Sequence, residues 1–281
     1  MRIGRYRLSE LSGERIAAGV RTRMNEVPHW LAWYLTRTAR VNKGKIQKFQ
    51  NIHSGRRCFI VANGPSLRNM NLDLLADEIT IGMNRIYLLF DSMTFRPTYY
   101  IAMNELILEQ FCGDIRELTM PKFLNWNRRL LYGGELSDVY FLKSRMVIRD
   151  FFQYDLTRPV VVGATVTFAA LQLAFFMGFQ EVILVGLDHN YAERGMPSET
   201  EIRQAEVDQS HFHPQYFPRG SKWQLPDLYR SEIAYTIARQ VFEGNGRKVI
   251  DATISGHCQV FEKADYLSLF DQVHKTYLEY A

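Results

Sequence analysis

The residues best equipped for chemistry fall in one stretch, Ser210-His211-Phe212-His213-Pro214-Gln215-Tyr216-Phe217, which holds two of the seven histidines and two hydroxyl groups. Imidazole titrates nearest neutral pH, so His211 or His213 can act as general base toward a hydroxyl nucleophile. Both also read as loop histidines with packing roles. A second group carries amides: Asn63, Asn84 and Asn104, with Asp188 further along. Amides offer donors and acceptors without charge, which suits ribose hydroxyls, a base edge or a sugar. Singly, each asparagine reads as a turn or cap residue; together, at equivalent places, they read as one rim. The third feature is Cys58-Phe59-Ile60-Val61-Ala62-Asn63-Gly64-Pro65-Ser66-Leu67. An apolar run stops at a Gly-Pro turn, and a helix can begin near Ser66. Free backbone N–H groups there attract phosphate; the alternative is an ordinary strand-to-helix turn.

These groups need a frame. Strands are predicted at 58–62, 78–83, 97–103, 122–126, 139–142, 181–185 and 248–251, and 160–162 is a short β-branched run. Residues 165–177 are nearly all apolar, as a buried helix is. Residues 227–243 form an amphipathic helix with Tyr229, Ile233, Ile237 and Val241 on one face, and residues 263–280 a closing helix. Strand–helix alternation predicts an α/β fold with a mostly parallel, doubly wound, Rossmann-like sheet and helices on both faces. Ligands of such sheets sit at the carboxyl ends of the strands. Asn63, Asn84, Asn104, Gly186 and Asp188 all fall at or just past predicted strand ends. Residues 189–226 lack periodicity, and a loop this long is expected to work as a lid.

Charge divides the chain into an N-terminal arm, 1–50, and a catalytic domain, 51–281. Residues 1–48 hold 11 Lys or Arg against 3 Asp or Glu, while the whole chain is only +4. Val27, Trp30, Leu31 and Tyr34 share one helical face beside Arg37, Arg40, Lys43, Lys45 and Lys48. That combination suits an anionic membrane surface; the alternatives are packing on the chain's own domain or on a second subunit in a homo-oligomer. The remaining residues carry net negative charge and show no RNA- or DNA-binding motif, so nucleic acid is not an expected partner. Three scattered cysteines fit a reducing compartment. No 18-residue apolar run and no secretory leader is legible. The expected location is the cytoplasm, with contact at the inner membrane face as one reading of the arm.

Several chemistries lack their signatures. There is no Walker A segment, no Gly-x-Gly-x-x-Gly, no Gly-x-Ser-x-Gly and no Asp-x-Asp. No Cys or His spacing suggests a structural metal. No cofactor is expected.

Asn63-Gly64-Pro65-Ser66-Leu67, Met83-Asn84-Arg85, Gly163-Ala164-Thr165 through Gly178-Phe179, Val185-Gly186-Leu187-Asp188-His189-Asn190-Tyr191, Ser210-His211-Phe212, Trp223 and Asp251-Ala252-Thr253-Ile254-Ser255-Gly256 occur in that order. Over roughly residues 55–265 this set resembles the bacterial family called domain of unknown function 115, also labelled 6-hydroxymethylpterin pyrophosphokinase-like. That family is similar in turn to CMP-sialic-acid-dependent sialyltransferases and to flagellin-modifying motility-accessory glycosyltransferases. The resemblance implies a metal-independent transfer of a sialic-acid-like or other CMP-activated sugar to a surface-glycan or lipid-linked acceptor. It implies nucleotide contacts at Asn63, Gly64, Pro65, Ser66, Asn84, Asn104, Thr165, Gly186 and Tyr191, with His211, His213 and Asp188 as catalytic candidates. The sequence departs from the sialyltransferases at three places. Thr165-Val166-Thr167 stands where they have Thr-Ser-Gly, Tyr191 arrives one residue late, and Gln215 stands where their catalytic histidine falls. His211 is preferred as base because it lies on the family's own motif. The family label implies, as an alternative, Mg²⁺-dependent pyrophosphoryl transfer from ATP to a pterin alcohol. A non-catalytic nucleotide-sugar-binding assembly factor is a further alternative.

Overall fold

The computed structural model describes residues 2–3, 6–7, 13–133, 137–192, 197 and 199–270. A short pairing of β1 (Arg2–Ile3) with β2 (Tyr6–Arg7) precedes the helices α1 (Gly13–Leu35) and α2 (Arg37–Gln47). There follow β3 (Arg57–Val61), β4 (Thr80–Met83), β5 (Tyr99–Ala102), α3 (Glu105–Gln110), α4 (Cys112–Glu117), β6 (Lys122–Asn125), β7 (Val139–Leu142), α5 (Val166–Phe176) and β8 (Glu181–Val185). The chain ends with a hairpin of β9 (Thr200–Ile202) and β10 (Lys222–Gln224), then α6 (Leu228–Gly244), β11 (Lys248–Asp251) and β12 (Glu262–Lys263).

Eight strands make one sheet in the order β12-β11-β8-β3-β4-β5-β6-β7, and each neighbouring pair runs parallel. The expected α/β class is the observed one. The chain lays β4 to β7 outward on one side of β3, then crosses back to place β8 on the other. The loops leaving β3 and β8 therefore diverge, and a crevice opens at their carboxyl ends.

Residue alternation builds a core on each face of the sheet. In β3, Cys58 and Ile60 point to one face, Phe59 and Val61 to the other. The first face carries α5, α6, and the buried Trp33, Ala39 and Ile46 of α1 and α2. Helix α5 is apolar all round because it is buried all round; its one long polar residue, Gln172, is satisfied by Gln153 N–H and by the carbonyls of Val161 and Phe168. The second face is covered by α3, α4 and short 3₁₀ turns.

The β-branched run 160–162 supplies a single bridge, Val160 to Ser144. Three sequence expectations change. The turn after β3 leads not into an α-helix but into a 3₁₀ turn, Pro65–Asn69. Helix α6 buries Ser231, Ala234, Tyr235, Ala238 and Phe242, leaving Tyr229 and Ile233 exposed: small residues let α6 approach α5 closely, a fit that a count of large apolar residues misses. The expected closing helix begins instead as β12 and a 3₁₀ turn, Leu267–Leu269; its remainder lies outside the described residues.

Candidate functional site

A cleft of about 680 Å³ occupies the crevice between the ends of β3 and β8, within the range of small-molecule sites. Its wall includes Asn63, Gly64, Asn84, Asn104, Thr165, Gly186, Asp188, Tyr191 and His211, nine of the residues singled out from sequence. Pro65, Ser66 and His213 are not part of that wall.

Each strand end delivers its side chain differently. Asn63 and Asn84 follow β3 and β4, and the side-chain oxygen of each is buried without a hydrogen-bond partner. An orphaned acceptor in a cleft is a polar group awaiting a donor. Asn104 differs: its oxygen caps α3, accepting from Leu106 N–H at 2.9 Å and Ile107 N–H at 3.4 Å. Backbone strain gathers here too. Asn84, Ala164 and His189 hold left-handed φ values of 49°, 64° and 54° and all line the cleft, which fits the tendency of such strain to cluster at functional sites.

The expected phosphate seat at Ser66 is already taken. Ser66 N–H donates to Asp188 Oδ1 at 2.9 Å, and Ser66 Oγ donates to Asp188 Oδ2 at 2.6 Å. This clasp joins the β3 and β8 loops across the crevice and explains the glycine before Pro65. A Cβ on Gly64 would lie 1.8 Å from Asp188 Oδ2 and 2.7 Å from the Gly186 carbonyl. Burial pushes the Asp188 carboxyl above its ordinary value, against the pull of the Ser66 hydrogen bonds. The turn at Gly163–Thr165, opening α5, lies in the same wall, with Thr165 Oγ1 capping Thr167 N–H and meeting Tyr235 Oη at 3.1 Å.

His211 is the best-organised titratable group in the cleft. Its Nδ1 lies 3.0 Å from Oδ2 of Asp208, a carboxylate with no solvent exposure. Asp208 Oδ1 also accepts Ser210 N–H at 2.9 Å and His211 N–H at 3.1 Å. Burial pushes the Asp208 carboxyl up, but the His211 hydrogen bond and the charges of His211 and Arg203 outweigh it, so it sits below its ordinary value. A carboxylate at Nδ1 favours the neutral tautomer with its proton there, which leaves Nε2 as the acceptor. The ring stacks on Tyr216, centroids 4.0 Å apart and planes 3° from parallel, and Tyr191 meets it edge-on at 6.0 Å. His213, the other base candidate, accepts Gln215 N–H at Nδ1 outside the cleft wall. Asp188, clasped to Ser66, serves the crevice as a brace.

The loop carrying His211 is no free lid. Phe212 N–H donates to the Asn63 carbonyl at 3.0 Å. Arg68 donates to the carbonyls of Phe212 at 2.7 Å and His211 at 2.9 Å, and Arg85 donates to those of Gln215 and Tyr216. Buried Phe212, Tyr216, Phe217 and Trp223 complete the anchorage.

Residues 34–194, more than half of the chain, match the family of 6-hydroxymethylpterin diphosphokinase MptE-like proteins. The chain belongs to the MptE-like family. The solved MAf glycosyltransferase from Magnetospirillum magneticum AMB-1 superposes on 81% of this chain with a TM-score of 0.48 and 13% identity. This chain spans 38% of that protein's length, and no residue role passes from one to the other. No curated protein matches the sequence.

Sequence reasoning about this MptE-like chain passed over Asp208, and also Asn25, Glu26 and His29 of α1, which line the cleft. The Asp-x-x-His spacing of Asp208 and His211 was a legible signal. The α1 contribution was not, because nothing local says that a helix of the basic segment folds back onto the 3₁₀ turn Trp126–Tyr132 that follows β6.

Proposed function

We propose that the chain is a transferase that binds a CMP-activated sugar across the β3–β8 crevice and passes the sugar to an acceptor hydroxyl without a metal ion. The observation that carries this reading is the His211–Asp208 pair beside two orphaned amide oxygens. In the step envisaged, His211 Nε2 takes the acceptor hydroxyl proton. The acceptor oxygen bonds to the anomeric carbon as the bond from that carbon to the phosphate oxygen breaks, and CMP leaves with the electron pair. Asp208 stabilises the imidazolium that forms. Asn63 and Asn84 receive donors from the base or ribose. The α5 turn at Gly163–Thr165, rather than Ser66, faces the phosphate.

The family's description favours a second reading, pyrophosphoryl transfer from ATP to a pterin alcohol, which calls for Mg²⁺ on carboxylates. The acids of the cleft are already engaged: Asp188 with Ser66, Glu26 with Lys143, Glu105 with Arg128. Among the described residues no three His, Cys, Asp or Glu side chains gather as a metal site. This donor set does not suit Mg²⁺.

Thermal-shift titration against CMP, CDP, UDP, GDP and ATP, with and without Mg²⁺, separates the readings. CMP stabilising the protein in EDTA supports the transferase, and CMP release from a CMP-sugar should then fall at least a hundredfold, roughly, in His211→Ala. ATP stabilising only with Mg²⁺ would replace it with the kinase, and no response to any nucleotide would leave a binding or assembly role.

A further inference from the structure

Helix α1 has two unlike sides. The inner one buries Trp33 in the core and lends Asn25, Glu26 and His29 to the cleft. The outer one is apolar yet bare: Met24, Val27, Leu31, Tyr34 and Leu35 are 52–72% exposed and recur at helical spacing. Val41 of α2, 55% exposed, extends the patch. Trp30, from the face expected on sequence, is half-buried instead, stacked on Tyr34 with the Lys143 ammonium over its ring.

Cations frame this patch. Arg21, Arg23, Arg37, Arg40 and Lys48 are exposed. The single acid between residues 21 and 48 is Glu26, which is turned inward and neutralised by Lys143 at 2.6 Å. An apolar stripe set in charge of one sign is complementary to an anionic lipid surface. It is poorly suited to a second copy of itself, because an isologous contact would bring like charges face to face. Among the described residues no helix is long and apolar enough to cross a membrane, so the contact is an interfacial one.

We propose that the outer face of α1 and α2 docks on an anionic membrane surface. The opposite side of the same helix walls the cleft, so docking brings the cleft beside the lipid headgroups. That the acceptor is then lipid-borne rests on the transferase reading; the docking surface itself does not.

Co-sedimentation of the full chain with vesicles tests the surface. Vesicles of phosphatidylcholine mixed equally with phosphatidylglycerol should carry the protein down, and pure phosphatidylcholine far less. Each arginine removed should weaken the binding roughly fivefold, so Arg23→Glu with Arg40→Glu should abolish it in practice. Val27→Ser with Leu31→Ser should weaken it at unchanged charge. All four positions are exposed and outside the cleft wall, so circular dichroism melts and nucleotide thermal shifts should match wild type. Loss of the nucleotide response in wild type would count against the transferase reading alone. A chain that stays in the supernatant, or binds both vesicle types equally, overturns the docking proposal. So does a dimer that Val27→Ser with Leu31→Ser dissolves.

Discussion

Replacing Asp208 with asparagine tests the His211 assignment most sharply, because the change leaves the loop's backbone bonds in place. Oδ1 of the new amide can still accept the N–H groups of Ser210 and His211, which now reach it at 2.9 and 3.1 Å. The amide nitrogen takes the place of Oδ2, 3.0 Å from His211 Nδ1. Two donors repel at that contact, and Nδ1–H is left with only Oδ1, 3.1 Å away and already holding two backbone N–H groups, so the ring proton shifts toward Nε2. The base is then lost while the ring stays where it is. General acid–base catalysis contributes about 10²–10⁴ in rate, so Asp208→Asn should lower kcat by that factor, about 3–5 kcal/mol of barrier. Nucleotide affinity should stay within about twofold, because Asp208 does not line the cleft. Two assays decide the matter: CMP release under saturating donor, and ¹⁵N chemical shifts of His211, which report the tautomer without any substrate. Wild-type kcat in the variant, with Nε2 still unprotonated, would refute the assignment. Stability supplies an independent check. The Asp208 carboxyl is held below its ordinary value of 3.8 in the fold, so its stabilisation is complete above that pH and lost as pH falls through the lower folded value. The melting-temperature gap between wild type and Asp208→Asn should be widest near neutral pH and close on acidification.

Other residues of the crevice make separate predictions. Gly64→Ala should cost about 3 kcal/mol, read by urea unfolding, because the added Cβ meets the Asp188 carboxylate and the Gly186 backbone. Asn63→Ala should leave the melting temperature within a degree or two of wild type, since its orphaned oxygen has no partner to lose, yet weaken nucleotide binding roughly tenfold. Asn84 needs glycine as its probe, because alanine would add strain at φ 49°. Asp188→Asn should preserve the clasp, the amide accepting Ser66 N–H and donating to Ser66 Oγ. The native carboxyl is raised by burial, so its ionisation opposes folding as pH climbs through the folded value. The variant should therefore gain on wild type in denaturant midpoint between acidic and neutral pH, and a loss at neutral pH would show that the carboxylate itself is required.

The sheet was legible because its strands are short apolar runs that end at turn residues, as at Ala62-Asn63-Gly64 and Val185-Gly186. Asn63, Asn84 and Asp188 converge because parallel strands all deliver their carboxyl ends to one edge. What stayed hidden depended on partners distant in sequence. The Ser66–Asp188 clasp spans 122 residues and removes the donors on which a phosphate reading of the turn relied. The anchorage of the His211 loop uses Arg68 and Arg85, whose backbone-carbonyl targets carry no mark in the sequence. The face of α6 was misread because packing against α5 rewards small residues, whereas amphipathic patterning weights large ones.

The charges of the cleft explain why recognition should fall to amides. Glu26 is matched by Lys143, Glu105 by Arg128, and the lining Arg230 by Asp150, each within 2.7 Å. Paired charges project little field beyond the pair; the exposed Arg145 is the lining cation with no ion pair among the described residues, so the wall offers a highly charged triphosphate one cation and not a cluster. A nucleoside monophosphate ester, with one charge on its phosphate, demands less. The same balance predicts weak salt dependence. CMP affinity should change less than about threefold between low salt and physiological ionic strength, whereas a site that relied on bare cations would lose affinity steeply. Isothermal titration across that range distinguishes the two, and a steep loss would mean that Arg145 or an opened ion pair holds the phosphate.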